Sequence, residues 1–270
     1  MADERHERSA AGIDVTVPSV ARMYDYLLGG KDNFAADREL AETILRWEPR
    51  ARDGALANRR FLGRAVEFLA RAGIKQFLDL GTGLPSRNNV HEVAQRVCPD
   101  ARVVYVDNDP VVRNHAEALL ASDDSTVVLC EDLRETERIL AHPDVQRMLD
   151  FSEPVAVLFV SVLHFVTDEQ DPWSIVSAMT EPLVPGSYLA LQHITLDGAP
   201  ADLVADLQER YKNASAPLVF RSPAAITRFF DGFELVDPGL VRLTEWRADE
   251  AERARPGGAE WGLAGVGRKP

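Results

Sequence analysis

Several large protein classes are excluded by what this sequence of 270 residues lacks. It contains only two cysteines, Cys98 and Cys130, which are too few for a disulfide framework or a four-thiolate zinc site. The longest uncharged runs, Pro154–Thr167 and Pro182–Leu196, are shorter than the roughly 20 residues that span a bilayer. The N-terminus, MADERHERSA, carries charges where a secretory signal would be apolar. We therefore expect a cytoplasmic protein with no membrane partner.

Excess positive charge is also missing. The chain has 30 Lys and Arg residues against 43 Asp and Glu residues, a net charge of -13. An acidic chain repels a phosphate backbone, and no Lys/Arg cluster with interleaved aromatic residues offsets that repulsion. The histidines and cysteines have no metal-ligand spacing, and neither a GxSxG elbow nor a P-loop occurs. We expect neither a nucleic-acid partner nor a bound metal.

The pattern of apolar residues predicts three regions. Residues 1–16 are polar, lack periodicity and are expected to be disordered. Residues 17–73 read as a helical cap, with helices over SVARMYDYLL, Ala35–Trp47 and Asn58–Ala72. In the first helix, Val20, Tyr24, Leu27 and Leu28 are expected to share one face. Residues 74–270 form the core, and with the cap they make one domain.

The core region alternates between strands and helices, which predicts an α/β fold with a mostly parallel sheet and helices on both faces. Its late strands, connected by the loop Arg247–Gly258 rather than by a helix, predict an antiparallel pair near one edge. The predicted strands are Ile74–Leu80, Arg102–Asp107, Thr126–Cys130, Val155–Val160, Ser187–Ile194, Phe233–Val236, Leu240–Glu245 and Trp261–Gly267. The predicted helices are Arg87–Val97, Pro110–Ala121, Leu133–Leu149 with a break at Pro143, Asp171–Glu181, Ala201–Lys212 and Pro223–Phe230.

The most informative motif is FLDLGTGLPS, which begins at Phe77. An apolar strand leads through Asp79 into a turn with Gly81 and Gly83, and a helix follows. Glycines let a ligand approach the backbone, and the start of a helix offers unpaired N–H groups. In an open α/β sheet, ligands bind at such a turn. A purely structural turn can also contain two glycines, so this motif needs support from other strands.

Two further strands end in carboxylates. The second ends in Asp107-Asn108, where a carboxylate can accept two hydrogen bonds from a ribose, and the third leads into Asp132-Leu133, where an adenine amino group could be bound. Each residue taken alone could simply cap the next helix, but together they indicate an adenosine cofactor. Asp79 would repel a pyrophosphate and would suit an ammonium group, which disfavours a nicotinamide dinucleotide.

These motifs resemble those of the class I S-adenosylmethionine-dependent methyltransferases. More closely, Pro18–Glu39, Phe77–Gln95 and Val103–Val112 look like an actinobacterial methyltransferase family long described as a domain of unknown function. The resemblance implies a Rossmann-like sheet of seven strands whose last strand is antiparallel. It also implies S-adenosyl-L-methionine as cofactor and an unidentified, small-molecule methyl acceptor. Pro85 replaces the third glycine common in the broader class, which affects the path of the loop.

The resemblance assigns cofactor contacts along the chain. Asp79 would face the methionine ammonium, Asp107 would hold the ribose, and Ser161 would face the reacting end. The backbone of Gly81, Thr82 and Gly83 would line the cofactor, Asn108 would lie beside the adenine, and Asp132 and Leu133 would contact its edge. Tyr24 and Asn33, near Lys31 in the N-terminal motif, would belong to a lid that excludes water. Equally, Tyr24 could be a core aromatic and Lys31 a solvated turn residue.

His164 is the candidate catalytic residue, because it follows the fourth strand and could take a proton from an acceptor hydroxyl. It could equally be a packed histidine between Leu163 and Phe165, and His193 is a weaker candidate. The overall alternatives are a protein that binds S-adenosylmethionine without turnover and a nicotinamide-dependent oxidoreductase. Methylation of a basic protein also stays open, and methylation of RNA is disfavoured by the acidic charge.

Overall fold

The three-dimensional structure is a computed structural model. It describes residues 13–86, 88–112, 114, 124–195, 197–198, 200–212, 214–255 and 261–270. Most of the tail predicted to be disordered, and most of the helix predicted over Pro110–Ala121, lie outside the described residues. Among the described residues, no helix is long and apolar enough to cross a membrane.

Three helices precede the sheet: α1 Val20–Leu27, α2 Ala35–Trp47 and α3 Ala51–Arg71. The start predicted for α3, at Asn58, is wrong. Ala55 and Ala57 are buried and extend the apolar face of α3 towards its N-terminus, but such small side chains leave only a weak periodic signal. The predicted end is confirmed, since Gly73 follows with a φ of 94° and its N–H donates to Ala70.

The remaining described chain alternates between strands and helices. The strands are β1 Gln76–Leu80, β2 Arg102–Asp107, β3 Thr126–Cys130, β4 Ala156–Val160, β5 Tyr188–Ile194, β6 Glu234–Leu235, β7 Val241–Arg242 and β8 Gly262–Arg268. The helices are α4 Val90–Val97, α5 Thr136–Leu140, α6 Pro143–Met148, α7 Pro172–Thr180, α8 Ala201–Tyr211, α9 Pro223–Thr227 and α10 Glu250–Arg253. Short 3₁₀ turns span Leu163–Phe165, Asp168–Gln170 and Arg228–Phe230.

The described strands form one sheet in the order β3-β2-β1-β4-β5-β8-β6, and β7 also pairs with β8. Strands β1 to β5 are parallel, and β8 is antiparallel to β5, β6 and β7. The predicted α/β fold with an antiparallel last strand is therefore confirmed. The count of seven strands implied by the resemblance is wrong, because the described residues form eight strands, one in each extended segment predicted from the apolar pattern. The additional strand is β7, which pairs with β8 beyond the end of β6, and Pro238 between β6 and β7 has no N–H for a ladder.

Helices cover both faces of the sheet, as predicted. Alternate residues of β1 point to opposite sides, so Phe77 packs with α3 and α4 in one apolar cluster. Leu78 packs on the other side, in a second cluster with α6 and α7. The carboxyl ends of β1 to β5 consequently lie together at one edge of a covered sheet.

Two other predicted boundaries are corrected. The helix expected from Arg87 begins at Val90, because Asn89 caps it and the Asn89 N–H donates to Glu92 at 2.8 Å. The loop expected over Arg247–Gly258 contains α10, where Asp249 accepts from the Glu252 N–H at 2.7 Å.

Candidate active site

A cavity of about 480 Å³ lies at the carboxyl ends of the parallel strands, beneath α1, α2 and α8. Its volume is in the usual range for a small-molecule site. Nearly all of the predicted site residues meet there, on segments that are distant in sequence. Those that line the cavity are Tyr24, Asp79, Gly81, Thr82, Gly83, Asp107, Asn108, Asp132, Leu133, Ser161 and His164. Asn33 is not among the described lining residues.

The turn after β1 has the backbone shape that requires glycine. Gly81 and Gly83 have φ angles of 73° and 67°, in the left-handed region that side chains rarely adopt. A Cβ atom on Gly81 would lie 2.1 Å from a methyl carbon of Val162. A Cβ atom on Gly83 would have no described atom within 4 Å. Gly81 therefore packs the turn against the segment after β4, whereas Gly83 leaves open space beside the cavity.

Two carboxylates are buried at this turn. Asp79 is 4% exposed and Asp107 is 9% exposed. The pKa of Asp79 is raised to about 7, mainly by burial and in part by the charge of Asp107, while the Arg59 guanidinium opposes the rise. Burial also raises the pKa of Asp107 to about 6, although it accepts N–H groups from Asp109 at 3.0 Å and Gly83 at 2.8 Å. A positive ligand group beside Asp79 would stabilise its charged form.

Asp132 has a different environment at the end of β3. It accepts hydrogen bonds from the backbone N–H of Arg134 at 3.0 Å and from its Nε at 2.9 Å, and Nη2 donates to the second oxygen. The Arg134 side chain lowers the pKa of Asp132. Asp132 is consequently ionised and fixed in place at the far end of the cavity, and Leu133 lines the cavity next to it.

The segment after β4 is strained. Ser161 has a φ of 66°, which is unusual for a residue other than glycine. Its N–H donates to the carbonyl of Gln192 at 3.3 Å. Such strain is often found where a backbone meets a ligand, and Ser161 lines the cavity.

His164 both packs and faces the cavity. Its ring contacts Phe165 and His193 at centroid distances of 4.4 and 5.5 Å, and it is 4% exposed. Its Nδ1 atom has no hydrogen-bond partner among the described residues. Burial lowers the pKa of His164 well below its usual value, and the neighbouring His193 and Arg221 lower it further. The ring is therefore neutral near pH 7.

Arg221, which the sequence analysis missed, holds the segment that carries His164. It is 3% exposed, and its guanidinium donates to the carbonyls of Leu163 at 2.9 Å and Val166 at 2.7 Å. It also pairs with Asp168 at 2.7 Å. Nη1 lies 2.7 Å from Nε2 of His193, whose pKa is lowered to about 3 by burial. His193 is thus neutral and accepts from Arg221. A lone arginine in the segment between α8 and α9 gives no sequence signal for this arrangement.

Three more lining residues were missed: Asn58, Arg59 and Gln192. Asn58 donates to the hydroxyl of Tyr24 at 2.8 Å, and that hydroxyl donates to Ala55 at 3.0 Å. The Asn58 and Gln192 side-chain oxygens are buried and have no hydrogen-bond partner among the described residues. Asn58 and Arg59 lie on α3 and Gln192 lies on β5. Nothing in the sequence around them distinguishes these three residues from polar residues with a structural role.

Helix α1 is attached to the segment after β2. The hydroxyl of Ser19 donates to Asp109, and the Ser19 N–H donates to Asp37 at 2.8 Å. Arg22 lies between these two acids, with Nε 3.5 Å from each. Three residues of the predicted apolar face, Val20, Tyr24 and Leu27, line the cavity. Leu28 follows the end of α1 and is not among the described lining residues. The opposite face buries Arg22 and Asp25 instead.

Asn33 stabilises the turn after α1 rather than the cavity wall. Its side-chain N–H groups donate to Asp25 at 2.8 Å and to the Gly30 carbonyl at 3.2 Å. A Cβ atom on Gly30 would lie 1.9 Å from Asp25, so the turn wraps closely around that acid. Lys31 is exposed.

The strand-end part of the cavity fits S-adenosylmethionine. Asp79 is a buried acid that a cationic amino group would stabilise, and Asp107 retains oxygen lone pairs for a ribose. Gly83 leaves room for a ligand at the backbone. Within the described ranges, no group of three or more His, Cys, Asp or Glu residues could hold a metal ion.

Comparisons with known proteins agree with this geometry. No curated protein matches the chain. A solved structure of a candidate methyltransferase from Thermobifida fusca is 47% identical, with a TM-score of 0.90, and the match covers 96% of this chain and 97% of that one. A structure of a DUF574 family protein from Streptomyces avermitilis is 40% identical, with a TM-score of 0.91, and the match covers 95% and 99% of the two chains.

A family model described as S-adenosyl methyltransferase matches residues 6–270. The match confirms the predicted methyltransferase activity and its cofactor, S-adenosylmethionine, over the nicotinamide-dependent alternative. With nearly the whole sequence matched, the chain belongs to the S-adenosyl methyltransferase family.

Proposed function

We propose that this methyltransferase binds S-adenosylmethionine at the ends of β1, β2 and β3 and transfers its methyl group to a small molecule in the adjoining part of the cavity. The observation that carries the proposal is the pair of buried carboxylates, Asp79 and Asp107, at a glycine turn beside the cavity. When bound, S-adenosylmethionine supplies an electrophilic methyl group on a positively charged sulfur.

Asp79 binds the ammonium group of the cofactor, directly or through a water. A carboxylate with a pKa of about 7 is only partly ionised in the free protein near neutral pH. A cation held beside it favours the charged form, so binding and ionisation reinforce each other. Arg59 reinforces this preference from α3, because its guanidinium lowers the pKa of Asp79.

Asp107 holds the ribose hydroxyls with the oxygen lone pairs that its backbone N–H donors leave available. The same N–H groups fix the orientation of the carboxylate and link it to Gly83. Asn108, Asp132 and Leu133 then contact the adenine, in keeping with their place along the cavity lining. Gly81, Thr82 and Gly83 line the cofactor with their backbone.

The protein's contribution to the reaction is mainly alignment and exclusion of water. The strained backbone of Ser161 places the segment after β4 against the reacting end. Neutral His164 can accept a hydrogen bond from an acceptor hydroxyl, although its depressed pKa makes it a weak base. We retain His164 as the candidate catalytic residue, and Arg221 as the positioning residue behind it.

Residues 17–73 act as a cap on a core formed by residues 74–270. Tyr24 contributes to the cavity wall, and Ser19 and Arg22 attach α1 to Asp109, two residues from Asp107. Asn33 acts indirectly, by holding Asp25 and the turn between α1 and α2. Closing of this cap excludes water from the methyl group.

We further propose that the protein works in an actinobacterial cytoplasm. Both related structures come from Thermobifida fusca and Streptomyces avermitilis, and Cys98 and Cys130 form no disulfide, as suits a reducing compartment. Fractionation of cells that express the tagged chain tests this proposal, which detection in the culture medium or in the membrane fraction would contradict.

Calorimetric titration tests the binding site. S-adenosylmethionine and S-adenosylhomocysteine should each bind with one-to-one stoichiometry, and NAD⁺ should not bind. Asp107→Ala should weaken both by at least about tenfold, because a bidentate acceptor of the ribose is lost. Asp231→Ala removes an exposed acid elsewhere and serves as the matched control. Binding that is unaffected by Asp107→Ala, or a preference for NAD⁺, would refute the proposed site.

A further inference from the structure

The cavity extends beyond the strand ends that we assign to the cofactor. Its other half has an apolar wall formed by Met23, Ile44, Phe165, Leu207, Tyr211 and Phe220. All six belong to one hydrophobic cluster, to which α1, α2 and α8 contribute. The Phe165 and Tyr211 rings stack with centroids 6.0 Å apart, so part of the wall is flat and aromatic.

Gln192 lies in this half of the cavity. It is on β5, paired with Val160 of β4 and Ala264 of β8, and is 3% exposed. Since neighbouring strands are about 4.8 Å apart, Gln192 lies about 10 Å across the sheet from the end of β1 and about 19 Å from the end of β3. It is therefore beyond the carboxylates that bind the cofactor.

The Oε1 atom of Gln192 is fully buried and has no hydrogen-bond partner among the described residues. Buried polar atoms in folded proteins nearly always have a partner. Gln192 lines the cavity, so a small rotation of its amide group would let a ligand's hydroxyl or N–H group satisfy this oxygen.

Charge is unevenly distributed around the cavity. Asp79, Asp107, Asp132 and Arg134 lie at the ends of the first three strands, along with Glu131, and Arg59 influences Asp79 from α3. Near the apolar wall, the charged lining residue is Glu48, which accepts from the Arg50 N–H at 2.9 Å and lies 3.6 Å from its guanidinium.

Three titratable groups on the apolar side, His164, Tyr211 and Tyr24, are neutral near pH 7. Burial lowers the pKa of His164 well below its usual value. Burial raises the pKa of Tyr211 to about 12 and also raises that of Tyr24. An ionised molecule placed here would lose its hydration. Among the described residues of this wall it would meet no positive charge, and the carboxylate of Glu48 is already paired with Arg50.

We propose that the apolar wall and Gln192 form the acceptor subsite, which takes an uncharged, mainly apolar small molecule with a hydroxyl or N–H group donating to Oε1 of Gln192. This inference rests on the proposed function, which assigns the strand-end half of the same cavity to the cofactor. It narrows the acceptor from any small molecule to one chemical class.

Three probes that differ at one position test the proposal: 2-naphthol, 2-methoxynaphthalene and 2-naphthoate. Each is titrated calorimetrically into the full chain saturated with S-adenosylhomocysteine. We expect 2-naphthol to bind about tenfold more tightly than 2-methoxynaphthalene, which lacks the donor, since the latter leaves a buried acceptor unpaired. The charged 2-naphthoate should bind more weakly than either.

The variant Gln192→Met keeps the length of the side chain and removes its acceptor. It should bind 2-naphthol and 2-methoxynaphthalene equally, with unchanged affinity for S-adenosylhomocysteine. Gln208→Met is the matched control, because Gln208 lies on α8 and is not among the described lining residues. It should retain the preference for 2-naphthol.

Equal binding of the two neutral probes to the wild-type chain, or binding of 2-naphthoate as tight as that of 2-naphthol, would overturn the inference. So would a preference for 2-naphthol that survives in a folded Gln192→Met variant. The wild-type comparison decides the matter even where the variant does not fold. S-adenosylhomocysteine is first titrated alone, and its failure to bind would refute the proposed function. The probes are also titrated without S-adenosylhomocysteine, so the acceptor subsite is tested separately.

Discussion

Asp79 should make the protein less stable as the pH rises, and Asp79→Asn should remove that effect. The carboxyl has an ordinary pKa of 3.8 and a pKa of about 7 in the folded chain. The folded chain therefore holds this proton more tightly than the unfolded chain does. Below about pH 4 both states are protonated and no penalty arises, whereas above about pH 7 the folded state must bury a charge.

The size of the effect follows from the two pKa values. At about 1.4 kcal/mol per pH unit, the interval between 3.8 and about 7 corresponds to a penalty of about 4 kcal/mol, fully developed above pH 7. Asparagine is neutral throughout and of similar size. Asp79→Asn should raise the free energy of unfolding by up to about 4 kcal/mol at pH 8 and leave it nearly unchanged at pH 4.

Urea denaturation at pH 4, 5, 6, 7 and 8, followed by circular dichroism, measures this difference. The exposed Asp231→Asn variant carries the same substitution away from the cavity and should follow the wild-type curve. The argument fails if Asp79→Asn changes the free energy of unfolding by the same amount at pH 4 and pH 8. A stabilised variant that no longer binds S-adenosylhomocysteine would show that this acid is kept for binding at the expense of stability.

Three further experiments address binding and packing. Calorimetry should show that the dissociation constant of S-adenosylhomocysteine rises about tenfold per pH unit below pH 7, because Asp79 must lose a proton to pair with the ammonium group. This pH dependence should disappear in Asp79→Asn. Arg221→Met should lower the free energy of unfolding by about 2–4 kcal/mol, because the buried carbonyls of Leu163 and Val166 lose their donor. It should also speed amide hydrogen exchange in residues 161–168, and unchanged exchange would contradict the positioning role of Arg221. Gly81→Ala should lower the free energy of unfolding by about 2–4 kcal/mol, because its Cβ atom would clash with Val162. Gly83→Ala should lower it by only about 1 kcal/mol through backbone strain, and should chiefly weaken S-adenosylhomocysteine binding. Equal losses of stability in urea denaturation would refute this distinction.

The sheet and its ligand-binding edge were predictable from local patterns. Apolar runs such as RVVYVD mark buried parallel strands, and a polar residue at the end of each run must lie at the common carboxyl edge. Asp79, Asp107 and Asp132 therefore came together without knowledge of any contact. The start of α3 was less predictable, since Ala55 and Ala57 are too small to mark a buried face.

Residues whose importance depends on long-range contacts could not be predicted in the same way. Arg221 is more than 50 residues from the Leu163 and Val166 carbonyls that it binds. Gln192 became notable only because its buried oxygen has no partner among the described residues. Asn33 shows the same dependence on contacts, because its place in a motif predicted a role at the cofactor site, whereas its side chain binds Asp25 and is not among the described cavity lining.

The apolar wall comes from different parts of the chain than the cofactor half. Met23, Ile44 and Leu207 lie on α1, α2 and α8, while the acids and glycines follow the strands. Substitutions in those helices can reshape the wall and leave the strand ends intact. Gene duplicates of such a protein can therefore diverge towards new acceptors while keeping one methyl donor. In this family, we expect evolutionary change to concentrate in those three helices and in residues 215–220.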